Sequence, residues 1–109
     1  MNPPLRSKHD IEQLIHGLKN NVIDCIASDH APHSSEEIEV EFEKVPLGII
    51  GLETSIGAIL TLLHHKHGFS LDKIIRLMAI NPRTILNLPQ VEIKVGKQAN
   101  ITIFAPNEN

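Results

Sequence analysis

The chain has 109 residues, enough for one domain at most. Its 13 Asp+Glu outnumber 10 Lys+Arg, and no basic stripe is present to meet a nucleic-acid backbone. There is no Trp or Tyr and only 3 Phe to stack on bases, and no stretch approaches the roughly 20 apolar residues that span a bilayer.

Pro3-Pro4 opens the chain in an extended conformation. The first six residues hold no apolar core of signal-peptide length, so a soluble cytoplasmic protein is expected. Asp10 reads as an N-cap, with Ile11, Leu14, Ile15 and Leu18 at helical spacing behind it. The spacing predicts a helix of about ten residues ending near Asn20-Asn21. Residues 22–27 then form an apolar, β-branched run that predicts a strand covered on both faces. Its single cysteine, Cys25, can form no internal disulfide and reads as a buried structural thiol in a reducing compartment.

The strand delivers its end into Ser28-Asp29-His30-Ala31-Pro32-His33. A carboxylate and two imidazoles at a strand end can bind a metal, move a proton or do both. The plainer reading of an Asp-His pair is a solvated turn. Residues 29–44 predict a long acidic loop, which is a solvated face or, by its length, a lid. Beyond Pro46-Leu47-Gly48, a run from Ile49 to Leu63 predicts a second, well-buried helix, with Gly51 and Gly57 permitting close packing. His64, His65 and His67 close it as solvent-facing residues at the helix C-terminus rather than as a metal cluster. Ser70 caps a third helix with Leu71, Ile74, Ile75 and Met78 on one face. Asn81-Pro82 breaks that helix and starts a short fourth one holding Ile85 and Leu86. Residues 91–104 alternate weakly around Gly96 and predict two short strands.

A lone strand with helices on either side does not close into a domain, because open edges seek partners. The pattern predicts α/β architecture: the C-terminal fragment of a (β/α)8 barrel, a fold of about 250 residues, with residues 1–88 in the barrel and 89–109 in returning β-sandwich strands.

Three ordered motifs resemble dihydroorotases of the amidohydrolase superfamily. They are Asn2-Pro3-Pro4-Leu5-Arg6, then Ser28-Asp29-His30-Ala31-Pro32-His33, then the segment from Phe42 through Pro46-Leu47-Gly48-Ile49-Ile50-Gly51-Leu52-Glu53-Thr54. Asn81-Pro82, Gly96 and Ala99-Asn100 fit the end of the barrel and the start of the returning strands. The resemblance implies a zinc-dependent enzyme that interconverts N-carbamoyl-L-aspartate and L-dihydroorotate in pyrimidine biosynthesis. Asp29 matches the carboxylate that ligates the more exposed of two zinc ions and acts as general base and acid. Asn2 and His33 match substrate hydrogen-bonding positions, His33 at the substrate carboxylate. Leu47 and Gly48 match a Phe-Gly pair whose backbone meets the pyrimidine ring, with Leu47 departing from the commoner Phe. His30 carries over no role beyond stabilising its loop.

The resemblance also places the His-x-His pair, the bridging carboxylated lysine and two histidine ligands upstream of Met1. Zinc needs three or four protein ligands, so this chain alone, with one, is expected to be inactive. The alternatives are a non-catalytic assembly partner of a carbamoyltransferase, a gene fragment without a role, or another cyclic amidohydrolase such as a dihydropyrimidinase or allantoinase. His33 favours the dihydroorotase branch. Completion by a missing N-terminal barrel segment or by another chain in an oligomer is expected.

Overall fold

The computed structural model describes residues 5–107, and its regular structure is almost entirely helical. Helix α1 spans Lys8–Lys19. Its N-cap is Ser7 rather than Asp10, which sits one turn in and completes a capping box. Asp10 N donates to Ser7 Oγ at 3.3 Å, and Ser7 N donates to Asp10 Oδ2 at 3.1 Å. Two exposed amides are thus satisfied reciprocally, which a single Asp cap would not do. Ile15 and Leu18 are buried, while Ile11 and Leu14 remain exposed, so only half of the expected apolar stripe is covered.

Residues 22–27 do not form the expected strand. A strand exists only through ladder bonds to a neighbour, and no such neighbour lies beside this run among the described residues. Its Ile26 N donates instead to Leu77 O at 3.0 Å. The one β pairing described is an isolated parallel bridge between His30 and Ile49. Cys25 is half-buried rather than fully enclosed.

The acidic segment is not a plain loop. It carries the short helix α2, Ser35–Ile38, and a 3-10 turn, Phe42–Lys44. The second predicted helix begins later than the apolar run suggests: α3 spans Ser55–Ile59 and continues as a π-helical stretch, Leu60–Lys66. Ile49, Ile50 and Leu52 therefore lie in a loop, Ile50 at 66% and Leu52 at 63% exposure, not on a buried helix face. Their backbone is engaged by the Asp-His loop, which prevents it from winding into the helix. Among the described residues Gly57 meets no close neighbour, so none of them makes the close packing expected of it.

Helix α4, Leu71–Ile75, is capped by Ser70, whose Oγ accepts from Lys73 N at 3.2 Å. The helix does not break at Pro82. It widens through Arg76–Ile80 and runs on into α5, Asn81–Ile85. In the widened stretch Asn81 N donates to Arg76 O, one residue further back than in an α-helix. A wider winding absorbs a proline that can neither donate to residue i−4 nor clear its carbonyl. Asn81 Nδ2 also ties this turn to Asp24 O at 2.7 Å.

Ile15 and Leu18 of α1 pack with Leu60, Leu63, Phe69, Ile74 and Leu77 into one small core. Ile74 is buried as expected, but Ile75 is half-exposed and Leu77, outside the predicted face, is the most enclosed residue. The two strands expected in residues 91–104 are also absent: the segment turns at Gly96 (φ 84°) and has no ladder partner among the described residues. No described helix is long and apolar enough to cross a membrane.

Candidate active site

Two loops about twenty residues apart meet side by side. The first runs from Asp29 to Ser34 and the second from Leu47 to Leu52. Asp29 opens the first with φ 48°, a left-handed conformation that Asp tolerates better than most side chains. Its carboxylate is on an exposed residue, and no hydrogen bond or ion pair holds it among the described residues.

His30 and Ala31 then carry the joint between the loops. Ala31 N donates to Ile49 O at 3.0 Å. The His30 Nδ1 atom accepts from both Gly51 N at 3.1 Å and Leu52 N at 3.2 Å. Accepting at Nδ1 places any neutral-ring proton on Nε2. Gly51 also lies in ordinary contact with Ser28 O.

His33 is the residue most constrained by this joint. Its side chain retains 22% exposure, yet Nε2 is buried without a hydrogen-bond partner. That nitrogen faces Gly48: a Cβ there would come within 2.8 Å of it and within 2.7 Å of Ala31 Cβ. Only glycine fits so close an approach. The other ring nitrogen, Nδ1, lies 3.8 Å from Glu37 Oε2. Glu37 belongs to a second capping box, in which Ser34 N donates to Glu37 Oε2 at 2.8 Å and Glu37 N to Ser34 Oγ at 3.4 Å. The Ser34 amide bond holds the Glu37 carboxyl below its usual range, and the nearby His33 ring acts in the same direction. At that separation the Glu37 carboxylate is a charge neighbour of the imidazole rather than a hydrogen-bond partner.

Of the residues singled out in the sequence, the structure brings His33 and Gly48 together, with exposed Leu47 adjoining Gly48. Asp29 heads the same loop but forms no described bond with His33. Asn2 lies outside the described residues. Glu37 was not among the candidates, although Ser34-Ser35-Glu36-Glu37 carries the capping-box signature and its place four residues after His33 was legible.

The histidines of the π-helical stretch serve its end. His64 Nδ1 donates to Phe69 O at 2.7 Å, and His65 Nε2 donates to Pro106 O at 2.7 Å. Among the described residues no three His, Cys, Asp or Glu side chains converge as a metal site would need. The donors of these residues alone therefore do not fit a zinc ion, and Asp29 offers a single carboxylate.

Residues 2–109 match the family model described as the amidohydrolase family. The chain belongs to that family, whose fold makes it a fragment of a TIM-type barrel. Among its curated relatives, the dihydroorotase of Clostridioides difficile (strain 630) is 51% identical over 108 residues, covering 99% of this chain and 26% of that protein. The dihydroorotase of Caldicellulosiruptor saccharolyticus is 48% identical over 103 residues, with 94% and 24% covered. That of Aquifex aeolicus (strain VF5) is 45% identical over 108 residues, with 99% and 25% covered. The chain thus spans about a quarter of the length of the curated relatives it matches.

Proposed function

We propose that this chain forms the part of a dihydroorotase that carries the proton-transferring carboxylate and one wall of the substrate site. The reaction is the reversible hydrolysis of the cyclic amide of L-dihydroorotate to N-carbamoyl-L-aspartate, a step of pyrimidine biosynthesis in the cytoplasm. The observation that carries this reading is the juxtaposition of His33 Nε2, buried and unpartnered, with the Gly48 backbone across two interlocked loops. An unsatisfied buried nitrogen is costly unless a ligand or further protein satisfies it.

In this reading Asp29 takes a proton from the attacking water and hands it to the amide nitrogen as the ring opens. His33 and Asn2 hydrogen-bond the substrate, and the Leu47-Gly48 backbone lies along its ring. Residues 1–88 belong to the barrel and 89–109 to the β-sandwich strands that follow. Zinc is held chiefly by residues outside this segment, with Asp29 as the one ligand from within it. The exposed apolar side chains of Leu47, Ile49, Ile50 and Leu52 support completion by further protein, since they need cover.

The test is a chimera in which residues 1–109 replace the matching quarter of the Clostridioides difficile relative, with folding checked by thermal unfolding. Hydrolysis of dihydroorotate by the folded chimera, and none by the 109-residue chain with added zinc, is the expected result. A folded chimera that assembles with a carbamoyltransferase but turns nothing over favours the assembly-partner reading. Hydrolysis of dihydrouracil or allantoin in preference to dihydroorotate moves the assignment to another cyclic amidohydrolase.

A further inference from the structure

We propose that His30 is a positioning residue for the substrate wall, acting by holding the Leu47–Leu52 loop in register with His33. This deepens the reading above and rests on it for its link to catalysis. The geometry is specific. A single imidazole nitrogen accepts two consecutive amides, Gly51 N at 3.1 Å and Leu52 N at 3.2 Å. The backbone of the same two loops is joined once more, by Ala31 N to Ile49 O at 3.0 Å. Both amides lie in the loop ahead of α3, whose N-cap is Thr54, and among the described residues it is His30 that accepts from them.

The consequence reaches the site through three residues of backbone. Gly48 lies so near His33 Nε2 and Ala31 that a small shift of the second loop changes the space around that nitrogen. Without the His30 acceptor, the Ala31 N–Ile49 O bond of the isolated bridge would be the one hydrogen bond, among the described residues, fixing the loop against residues 30–33. Within this chain the side chains of Ile49, Ile50 and Leu52 are largely exposed and add little packing to hold the loop. In this proposal His30 acts on the substrate only through the loop it holds. It sets the separation of His33 and the Gly48 backbone.

The experiment compares His30→Ala and His30→Asn in the complete enzyme that carries this segment. Asn places Oδ1 at the same branch position as Nδ1, so it preserves an acceptor. In His30→Ala, amide exchange at Gly51 and Leu52 is expected to rise about tenfold, the scale of one lost hydrogen bond, while amides of α1 keep their protection. KM for dihydroorotate is expected to rise about tenfold with kcat falling less than about threefold, the pattern of lost binding rather than lost chemistry. His30→Asn is expected to restore both. Unchanged exchange at Gly51 and Leu52 in His30→Ala overturns the clamp. Faster exchange with KM unchanged, or exchange raised throughout the fold in both variants, overturns the positioning role. A wild-type enzyme without dihydroorotate turnover would refute the proposed function instead. The exchange at Gly51 and Leu52 would still decide the clamp.

Discussion

Gly48 and His33 share a space with no room for another methyl group. A Cβ on Gly48 would stand 2.8 Å from His33 Nε2, with Ala31 Cβ at 2.7 Å and Ala31 O at 3.0 Å. Of these three neighbours only the imidazole can swing aside, because Ala31 is fixed through its backbone bond to Ile49. Gly48→Ala is therefore expected to displace His33 and also to push the loop away from Ala31, because moving the ring does not relieve the 2.7 Å approach to Ala31 Cβ. In the assembled enzyme this should raise KM for dihydroorotate about tenfold or more, with helix content by circular dichroism unchanged. A variant with wild-type KM would show that His33 does not face substrate.

Asp29 combines an exposed carboxylate with a left-handed backbone at φ 48°. Asn shares the tolerance of Asp for that conformation, whereas Ala does not and costs about 1 kcal/mol there. Asp29→Asn should thus leave the unfolding midpoint nearly unchanged while abolishing turnover, because an amide cannot carry the proton. Asp29→Ala should lose turnover and also some stability. Turnover of Asp29→Asn within about tenfold of wild type would exclude the carboxylate as the proton carrier.

The two loops of the candidate site are more legible in the sequence than the secondary structure around them. Ser28-Asp29-His30-Ala31-Pro32-His33 and Pro46-Leu47-Gly48 are local motifs, and the structure does bring His33 and Gly48 together. The run at residues 22–27 has the composition of a doubly covered strand but forms none, because strand identity depends on a neighbour that composition cannot supply. The run from Ile49 to Leu52 has helical spacing, yet its amides are taken by His30 and its carbonyl by Ala31, a long-range choice invisible to periodicity. Pro82 was read as a helix break by its chemistry alone. The widened turns before it let the axis continue. At α1 the difference is smaller: both Asp and Ser serve as N-caps, and Ser7 takes that place while Asp10 completes the capping box from N3.

Leu77 is 1% exposed and lies at the centre of the small core, where its carbonyl also accepts from Ile26 N. Among the described residues seven buried apolar side chains form that core, so truncating one leaves a cavity in close-packed surroundings. Leu77→Ala is expected to cost about 2–5 kcal/mol, a large share of the roughly 5–15 kcal/mol that holds an ordinary domain together. Ile75→Ala, on the half-exposed side of the same helix, should cost much less. Denaturant titration of both variants checks the order. Equal losses would mean that further protein covers Ile75.

Glu37 links the helix cap to His33, and its protonation should break that link. Its carboxyl is held below the ordinary value of 4.5 mainly by the Ser34 amide that donates to it. A depressed folded-state pKa means that the ionised form favours the capped structure. The contribution is present above the ordinary glutamate value and is lost as pH falls through the lower folded value. Acidification should therefore release Ser34 N from Glu37 Oε2 and fray α2, while the Ser70 cap of α4, which uses a hydroxyl, persists. The Ser34 amide proton, followed by NMR, should titrate with a midpoint below 4.5, and Glu37→Gln should remove the transition. A midpoint at or above the ordinary value would mean that the carboxylate does not hold this amide.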